Sequence, residues 1–169
     1  MFNVSVIGGS SPDNYHYDLA FRTGYLLAKE GAVIICGGLT GVMEAVAKGA
    51  KEAGGISVGI LPGFTTDTGN DYLTVKIPTG IGFARNFLVI RGGEVVIAID
   101  GAAGTMSELY FALSSMRTVL ALGKVHHLEV GHENGSYIEC KTPEEAVAAA
   151  KIHAQKFREL QVYNEASEQ

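Results

Sequence analysis

Two charged residues stand out against apolar, glycine-rich surroundings. Glu108 closes the run Asp100-Gly101-Ala102-Ala103-Gly104-Thr105-Met106-Ser107-Glu108, and Arg85 sits in Phe83-Ala84-Arg85-Asn86-Phe87. A carboxylate one turn into a helix could stabilise a developing cation or activate a water. The competing reading of Thr105 and Glu108 is a T-x-x-E capping box, with both side chains closing the helix backbone. A guanidinium can clamp a phosphate or a base through its planar fork. The competing reading of Arg85 is a surface arginine whose stem lies along a helix face.

Three glycine-rich turns accompany these residues. They are Gly8-Gly9-Ser10, Gly37-Gly38-Leu39-Thr40-Gly41, and Gly101-Ala102-Ala103-Gly104 followed by Thr105. Each follows a β-rich run and opens a helical pattern. Absent side chains let a ligand approach the backbone amides, and a helix N-terminus favours an anion. The expected phosphate- or nucleotide-binding residues are therefore Gly8, Gly9, Ser10, Gly37, Gly38, Gly41, Gly101, Gly104 and Thr105. Arg85 and Glu108 are the catalytic candidates. The competing reading of any one loop is a tight turn that binds nothing. Neither GxxxxGK[ST] nor GxGxxG occurs, so a P-loop and a dinucleotide fingerprint are both unsupported.

The elements that must position these loops alternate. Phe2–Ile7, Ala32–Cys36, Ile56–Leu61 and Glu94–Ile99 read as strands, with shorter ones at Leu73–Ile77, Val125–Val130 and Tyr137–Cys140. Helices are predicted from about Tyr15 to Lys29, at Val42–Ala53, Phe83–Arg91, Thr105–Leu122 and Pro143–Leu160. Pro12 suits the first turn of the first helix, with Ser10 or Ser11 as its cap. Strands apolar on both faces and separated by helices mean a covered parallel sheet. The expected fold is a doubly wound, Rossmann-like α/β sheet with helices on both faces. Its ligand site should lie at the carboxyl edge, at a topological switch point. Residues 1–162 are expected to form one nucleotide-binding domain, with 163–169 a frayed polar tail. The irregular stretch 63–81 reads as an active-site loop. The predicted helix Thr105–Leu122 carries Met106, Leu109, Tyr110, Phe111, Leu113, Met116, Val119, Leu120 and Leu122. That apolar surface wants cover, from the final helix or from a second copy of the chain.

Composition narrows the partners. The 169 residues include 22 glycines, about 13 % where about 7 % is usual. No G-X-Y period appears, and 47 % hydrophobic content with mean hydropathy +0.18 describes a globular chain. Thirteen basic residues against eighteen acidic ones give a net charge of −5, which disfavours nucleic acid as the main partner. No apolar run approaches the roughly 18 residues of a membrane span. Cys36 and Cys140 form no CxxC, and MFNVSVIGG carries no secretory signal, so a cytoplasmic location with reduced thiols is expected. His126, His127, Glu129, His132 and Glu133 are close in sequence but lack metal-ligand spacing, and no metal site is expected.

The stretch CGGLTGVMEAVAKGAKEAGGISVGILPG resembles the conserved second helix of the LOG (Lonely Guy) proteins, a group once labelled "possible lysine decarboxylase". The later ARN…DGAAGTMSEL is similar to their Arg-Lys segment followed by PGGxGTxxE. Similarity runs from about Phe2 to Val130. A nearer resemblance is to DprA/Smf-related proteins and molybdenum cofactor carriers, which share the short chain and Arg-Asn. LOG proteins hydrolyse the N-glycosidic bond of nucleoside 5′-monophosphates. That resemblance implies that Arg85 helps hold the nucleotide, Glu108 serves cleavage, and Gly101, Gly104 and Thr105 hold the 5′-phosphate. The carrier branch implies the alternative, a non-catalytic protein for a nucleotide or the molybdenum cofactor. Neither implies a required cofactor, and the family habit implies a homodimer or higher oligomer. Amino-acid decarboxylation gains no support. The chain departs from the LOG pattern at Asp100-Gly101-Ala102, where the family has PGG, and at Asn86, where it has lysine.

Overall fold

The computed structural model describes residues 1–101, 103–123, 125 and 135–167. Its strands are β1 (Phe2–Gly8), β2 (Ala32–Cys36), β3 (Ile56–Leu61), β4 (Val75–Pro78), β5 (Val95–Ile99), β6 (Val119–Leu122) and β7 (Tyr137–Cys140). Its helices are α1 (Asn14–Lys29), α2 (Val42–Glu52), α3 (Asn86–Gly92), α4 (Ala103–Ser114) and α5 (Pro143–Ser167), with a 3-10 turn at Gly82–Arg85 running into α3. All seven strands join one parallel sheet in the order β4-β3-β2-β1-β5-β6-β7. This is the expected Rossmann-like α/β fold.

The order has one reversal. From β1 the chain steps outward through β2, β3 and β4, then returns to place β5 on the other side of β1. Gly8 pairs with Ile99 at the last rungs of β1 and β5. The loops leaving these two strands therefore part in opposite directions, which opens a crevice between them. One face of the sheet, with Val4, Val6, Ile34 and Ile97, packs with residues of α1, α2 and α5. The other face, with Ile7, Ile35, Val96 and Ala98, packs with residues of α3 and α4. The central strands are buried on both faces, so they read as continuous apolar runs.

Four boundaries differ from the sequence expectation. The predicted helix Thr105–Leu122 is two elements, α4 ending at Ser114 and β6 at Val119–Leu122. Met116 adopts a left-handed φ of 59°, which ends the helix, and Arg117 fixes the turn. Its Nε donates to Gly93 O at 2.9 Å, Nη1 to Ser115 O at 3.0 Å and Nη2 to Arg91 O at 3.2 Å. A short, wholly apolar run gives no period to separate helix from strand. Val119, Leu120 and Leu122 are consequently sheet core, not a helix face awaiting a second copy. The cap of α1 is Asp13, which accepts the His16 N–H at 2.8 Å, rather than Ser10 or Ser11. Pro12 precedes that cap and lies outside the helix. The strand expected at Leu73–Ile77 is displaced to Val75–Pro78. Finally, α5 continues past Leu160 to Ser167, through residues expected to fray, because glutamate, glutamine and alanine there favour helix. The strand expected at Val125–Val130 lies outside the described residues except for Val125, which is not in a strand.

Two glycines far from the crevice explain part of the glycine excess. Gly24 of α1 and Gly49 of α2 sit where these helices cross. A Cβ on Gly24 would fall on the Val46 carbonyl, and one on Gly49 on the Phe21 carbonyl. Alanine at either site gains helix propensity of about 1 kcal/mol but drives one backbone into another, at a cost of about 1–3 kcal/mol or more. Gly49→Ala should therefore lower the denaturation midpoint, measured in urea. A midpoint equal to or above wild type would show that the helices do not meet this closely.

Candidate functional site

The first two glycine loops are tied together at the crevice. Gly41 caps α2 with φ 70°, a left-handed conformation that glycine adopts without strain. A Cβ there would also strike the carbonyls of Gly9 and Ser10. The loops are joined by Val42 N–H donating to Gly9 O at 3.0 Å and Thr40 Oγ1 donating to Ser10 O at 3.2 Å. Gly38 faces the other way, against Gly59, Leu61 and Leu73. Its carbonyl accepts from Asn70 N at 2.9 Å and Asn70 Nδ2 at 3.2 Å, which anchors the 62–74 loop.

A cleft of about 430 Å³ opens between these loops and α4. Of the expected binding residues, Gly8, Gly9, Ser10, Gly37, Gly104 and Thr105 line it, together with Arg85 and Glu108. Gly38, Gly41 and Gly101 stand outside its walls. Val6, Ile7, Leu39, Met43, Phe83 and Asn86 complete the lining, and none of them is a site residue on sequence grounds. In the sequence Asn86 stands out as a departure from the LOG lysine and as part of the Arg-Asn shared with the carrier branch.

Arg85 is the decisive side chain. It stands at the end of the 3-10 turn and is only 5 % exposed, so the surface-arginine reading is overturned. Its guanidinium lies in the space that a Cβ on Gly37 would need, beside the Met43 sulfur. Gly37 is glycine because the arginine lies against it. Among the described residues no carboxylate comes within 4.0 Å, and Nε is buried without a hydrogen-bond partner. Burial lowers its pKa, while Glu108 and the Cys36 thiol act in the opposite direction. An arginine so placed is still a cation. Arg117, the other buried arginine, uses its donors on three carbonyls, and its guanidinium carbon lies 4.9 Å from the Phe157 ring centroid. Arg85 has no comparable set.

Glu108 projects from the second turn of α4 into the cleft. Since α4 begins at Ala103, Thr105 lies inside the first turn and is not its cap, so the T-x-x-E box does not form. Burial pushes the Glu108 carboxyl up to about 7, with the Arg85 charge opposing the rise. Near neutral pH the group exists in both forms, as a proton-transfer group requires. Cys36 lies beneath, its thiol pushed up to about 11 by burial, so it is a packing residue and not a nucleophile.

Asp100 sits next to this cradle at φ 52°, a left-handed conformation uncommon outside glycine. Its Oδ1 accepts the Gly101 N–H at 2.9 Å. Its Oδ2 faces Gly9, 3.1 Å from where a Cβ on that glycine would stand. The carboxylate thus borders the first loop without lining the cleft. Ala102 lies outside the described residues, as do His126, His127, Glu129, His132 and Glu133. Among the described residues no three His, Cys, Asp or Glu side chains gather as a metal site. Among them, too, no helix is long and apolar enough to cross a membrane.

A sequence profile of the SLOG cluster4 family matches residues 1–147. The chain belongs to the SLOG cluster4 family. A protein of Archaeoglobus fulgidus is 40 % identical to this SLOG chain over 147 residues, which is 87 % of this chain and 93 % of that one. Among solved structures, a molybdenum cofactor binding protein from Rippkaea orientalis has a TM-score of 0.76 at 31 % identity, covering 88 % of this chain and 93 % of the other. A Moco carrier protein from Chlamydomonas reinhardtii gives 0.78 at 30 % identity, covering 91 % and 98 %. The DNA processing protein A of Helicobacter pylori shares the fold at 19 % identity and a TM-score of 0.64, covering 88 % and 79 %.

The raised Glu108 pKa has a consequence for stability. The folded protein holds this proton more tightly than the unfolded chain, whose value is near 4.5. Stability therefore falls as pH rises from about 4.5 through about 7, by roughly 3 kcal/mol at most. Glu108→Gln mimics the protonated form and should remove that loss. Urea unfolding from pH 5 to 8.5 should show the variant gaining on wild type as pH rises. Parallel curves would mean that Glu108 carries an ordinary carboxylate pKa.

Proposed function

We propose that this SLOG protein binds a phosphorylated, nucleotide-like small molecule in the cleft at the switch point, and acts as its carrier. The observation that carries this reading is the buried guanidinium of Arg85, unpaired among the described residues and facing a cleft between glycine loops. An unpaired buried cation is costly, and an anionic ligand would supply the missing charge. The first turn of α4 at Gly104 and Thr105, with loop amides at Gly9 and Ser10, would hold the phosphate. The molybdenum cofactor proteins of Rippkaea and Chlamydomonas, near 30 % identical, support a pterin- or nucleotide-type cargo. A net charge of −5 argues against a single-stranded DNA partner of the kind named for the Helicobacter protein. No resident cofactor or metal is part of the proposal. A cytoplasmic location and a second copy of the chain are part of it, the copy as cover for exposed Leu88 and Tyr110.

A second reading is favoured by Glu108 alone: a nucleoside 5′-monophosphate phosphoribohydrolase. There, loss of the base would build positive charge at the ribose C1′, and the Glu108 carboxylate would stabilise it or deprotonate the attacking water. Water oxygen would bond to C1′ as the C1′–N bond breaks, with a proton passing to the base.

Calorimetry with AMP, GMP, ribose 5-phosphate and molybdenum cofactor tests the carrier reading. Saturable binding is expected, weakened about tenfold or more by Arg85→Ala, since charge-assisted bonds are worth about 1.5–3 kcal/mol. Chromatography of the AMP and GMP incubations should show no free base. Binding unaltered by Arg85→Ala would contradict the proposal. Base release abolished by Glu108→Gln would establish the hydrolase instead.

A further inference from the structure

A second cavity of about 230 Å³ adjoins the cleft and shares Phe83, Asn86 and Glu108 with it. Three of its walls are phenylalanines, with Ala84, Ile90 and Ser107 beside them. Phe87 and Phe111 stand with ring centroids 4.3 Å apart, tilted by 48°. Phe83 occupies the mouth shared by the two cavities and is 84 % exposed, far more than a core phenylalanine. At about 30 Å³ per water, this volume equals about eight waters, room for a flat bicyclic ring.

Asn86 lies at the junction of the two spaces. Its Oδ1 is buried with no hydrogen-bond partner, and the amide makes no side-chain hydrogen bond among the described residues. The amide therefore offers one unused donor and one unused acceptor, side by side, whichever way round it is turned. A buried, unsatisfied amide oxygen is a cost that natural structures rarely leave uncompensated.

We infer that the side cavity is a ring-recognition subsite, in which Phe83 and Phe87 stack a planar heterocycle and Asn86 pairs with its edge. This deepens the proposed function and rests on it, since the phosphate in the main cleft brings the ring to Asn86. The ligand class is a phosphorylated compound whose ring carries a hydrogen-bond donor and an acceptor on adjacent positions. Adenine has such an edge. So does guanine, whose amino-lactam edge is the one a pterin carries. A sugar phosphate alone, or a ring with acceptors only, leaves the amide half-used. Lysine at this position would offer donors only, so asparagine changes which ring edge is accepted.

The test is calorimetry of wild type, Asn86→Leu and Phe83→Ala with ribose 5-phosphate, purine riboside 5′-monophosphate, AMP and GMP. Wild type should bind AMP or GMP at least about tenfold more tightly than ribose 5-phosphate, the usual worth of a bidentate amide–base pair. Purine riboside 5′-monophosphate, which lacks the exocyclic donor, should fall between. Each variant should bring AMP and GMP toward the affinity of ribose 5-phosphate, with a larger fold-loss for these two ligands than for ribose 5-phosphate. Because Phe83 is exposed, its truncation removes no core packing and keeps the test decisive if Asn86→Leu misfolds. Equal wild-type affinity for ribose 5-phosphate, AMP and GMP would overturn the subsite while leaving phosphate binding in place. Equal losses for all four ligands in both variants would overturn it too. Absence of binding by all four to wild type would remove the proposed function and the subsite together.

Discussion

A buried guanidinium with no ion-pair or hydrogen-bond partner among the described residues is the constraint around which the crevice is organised. Arg85 reaches its place because the 3-10 turn Gly82–Arg85 runs directly into α3, pointing the side chain back under the second glycine loop. Gly37 must lack a Cβ for the guanidinium to fit. Met43 and the neutral thiol of Cys36 flank it with polarisable but uncharged groups. Glu108, the nearest acid by its electrostatic effect, stays beyond ion-pair distance and is itself half-protonated near neutral pH. Arg117, at the opposite edge of the sheet, shows how a structural buried arginine is satisfied, with donors on three carbonyls. The contrast between these two arginines points to a ligand more directly than any single motif does.

Topology places the pieces. A parallel sheet that reverses its strand order once brings the ends of β1 and β5 together and sends their loops apart. The long run Val95–Ile99 is fully buried, so the first residue free to turn is Asp100. That residue takes a left-handed φ and spends its carboxylate on the Gly101 amide. Its other carboxylate oxygen beside Gly9 adds negative charge at one rim of the cleft.

Much of the fold was legible, because strands such as Ala32–Cys36 are apolar on both faces and end in glycine. The helix-to-strand change after Ser114 was not, since Val119–Leu122 has no polar position to betray its period. Arg85 and Glu108 could be read as candidates from charge in apolar surroundings. The burial of Arg85 could not, because it depends on Gly37 and Met43, which approach only through tertiary packing. Gly38 and Gly41 show the limit of glycine as a signal. One backs onto β3 and the other lets two loops touch, so neither lines the cleft. Asn86 stood in the sequence only as the second residue of Arg-Asn, and the signal that marks it as a binding group is an unsatisfied buried oxygen, which only the folded chain reveals.

The proposed function requires Arg85 to receive an anion. The most direct measurement is a crystal structure of the protein soaked with AMP. Ligand oxygens are expected within about 3 Å of the Arg85 guanidinium and of the backbone N–H groups at Ser10 or Gly104. AMP bound elsewhere, with Arg85 still buried and unpaired, would contradict the proposed function.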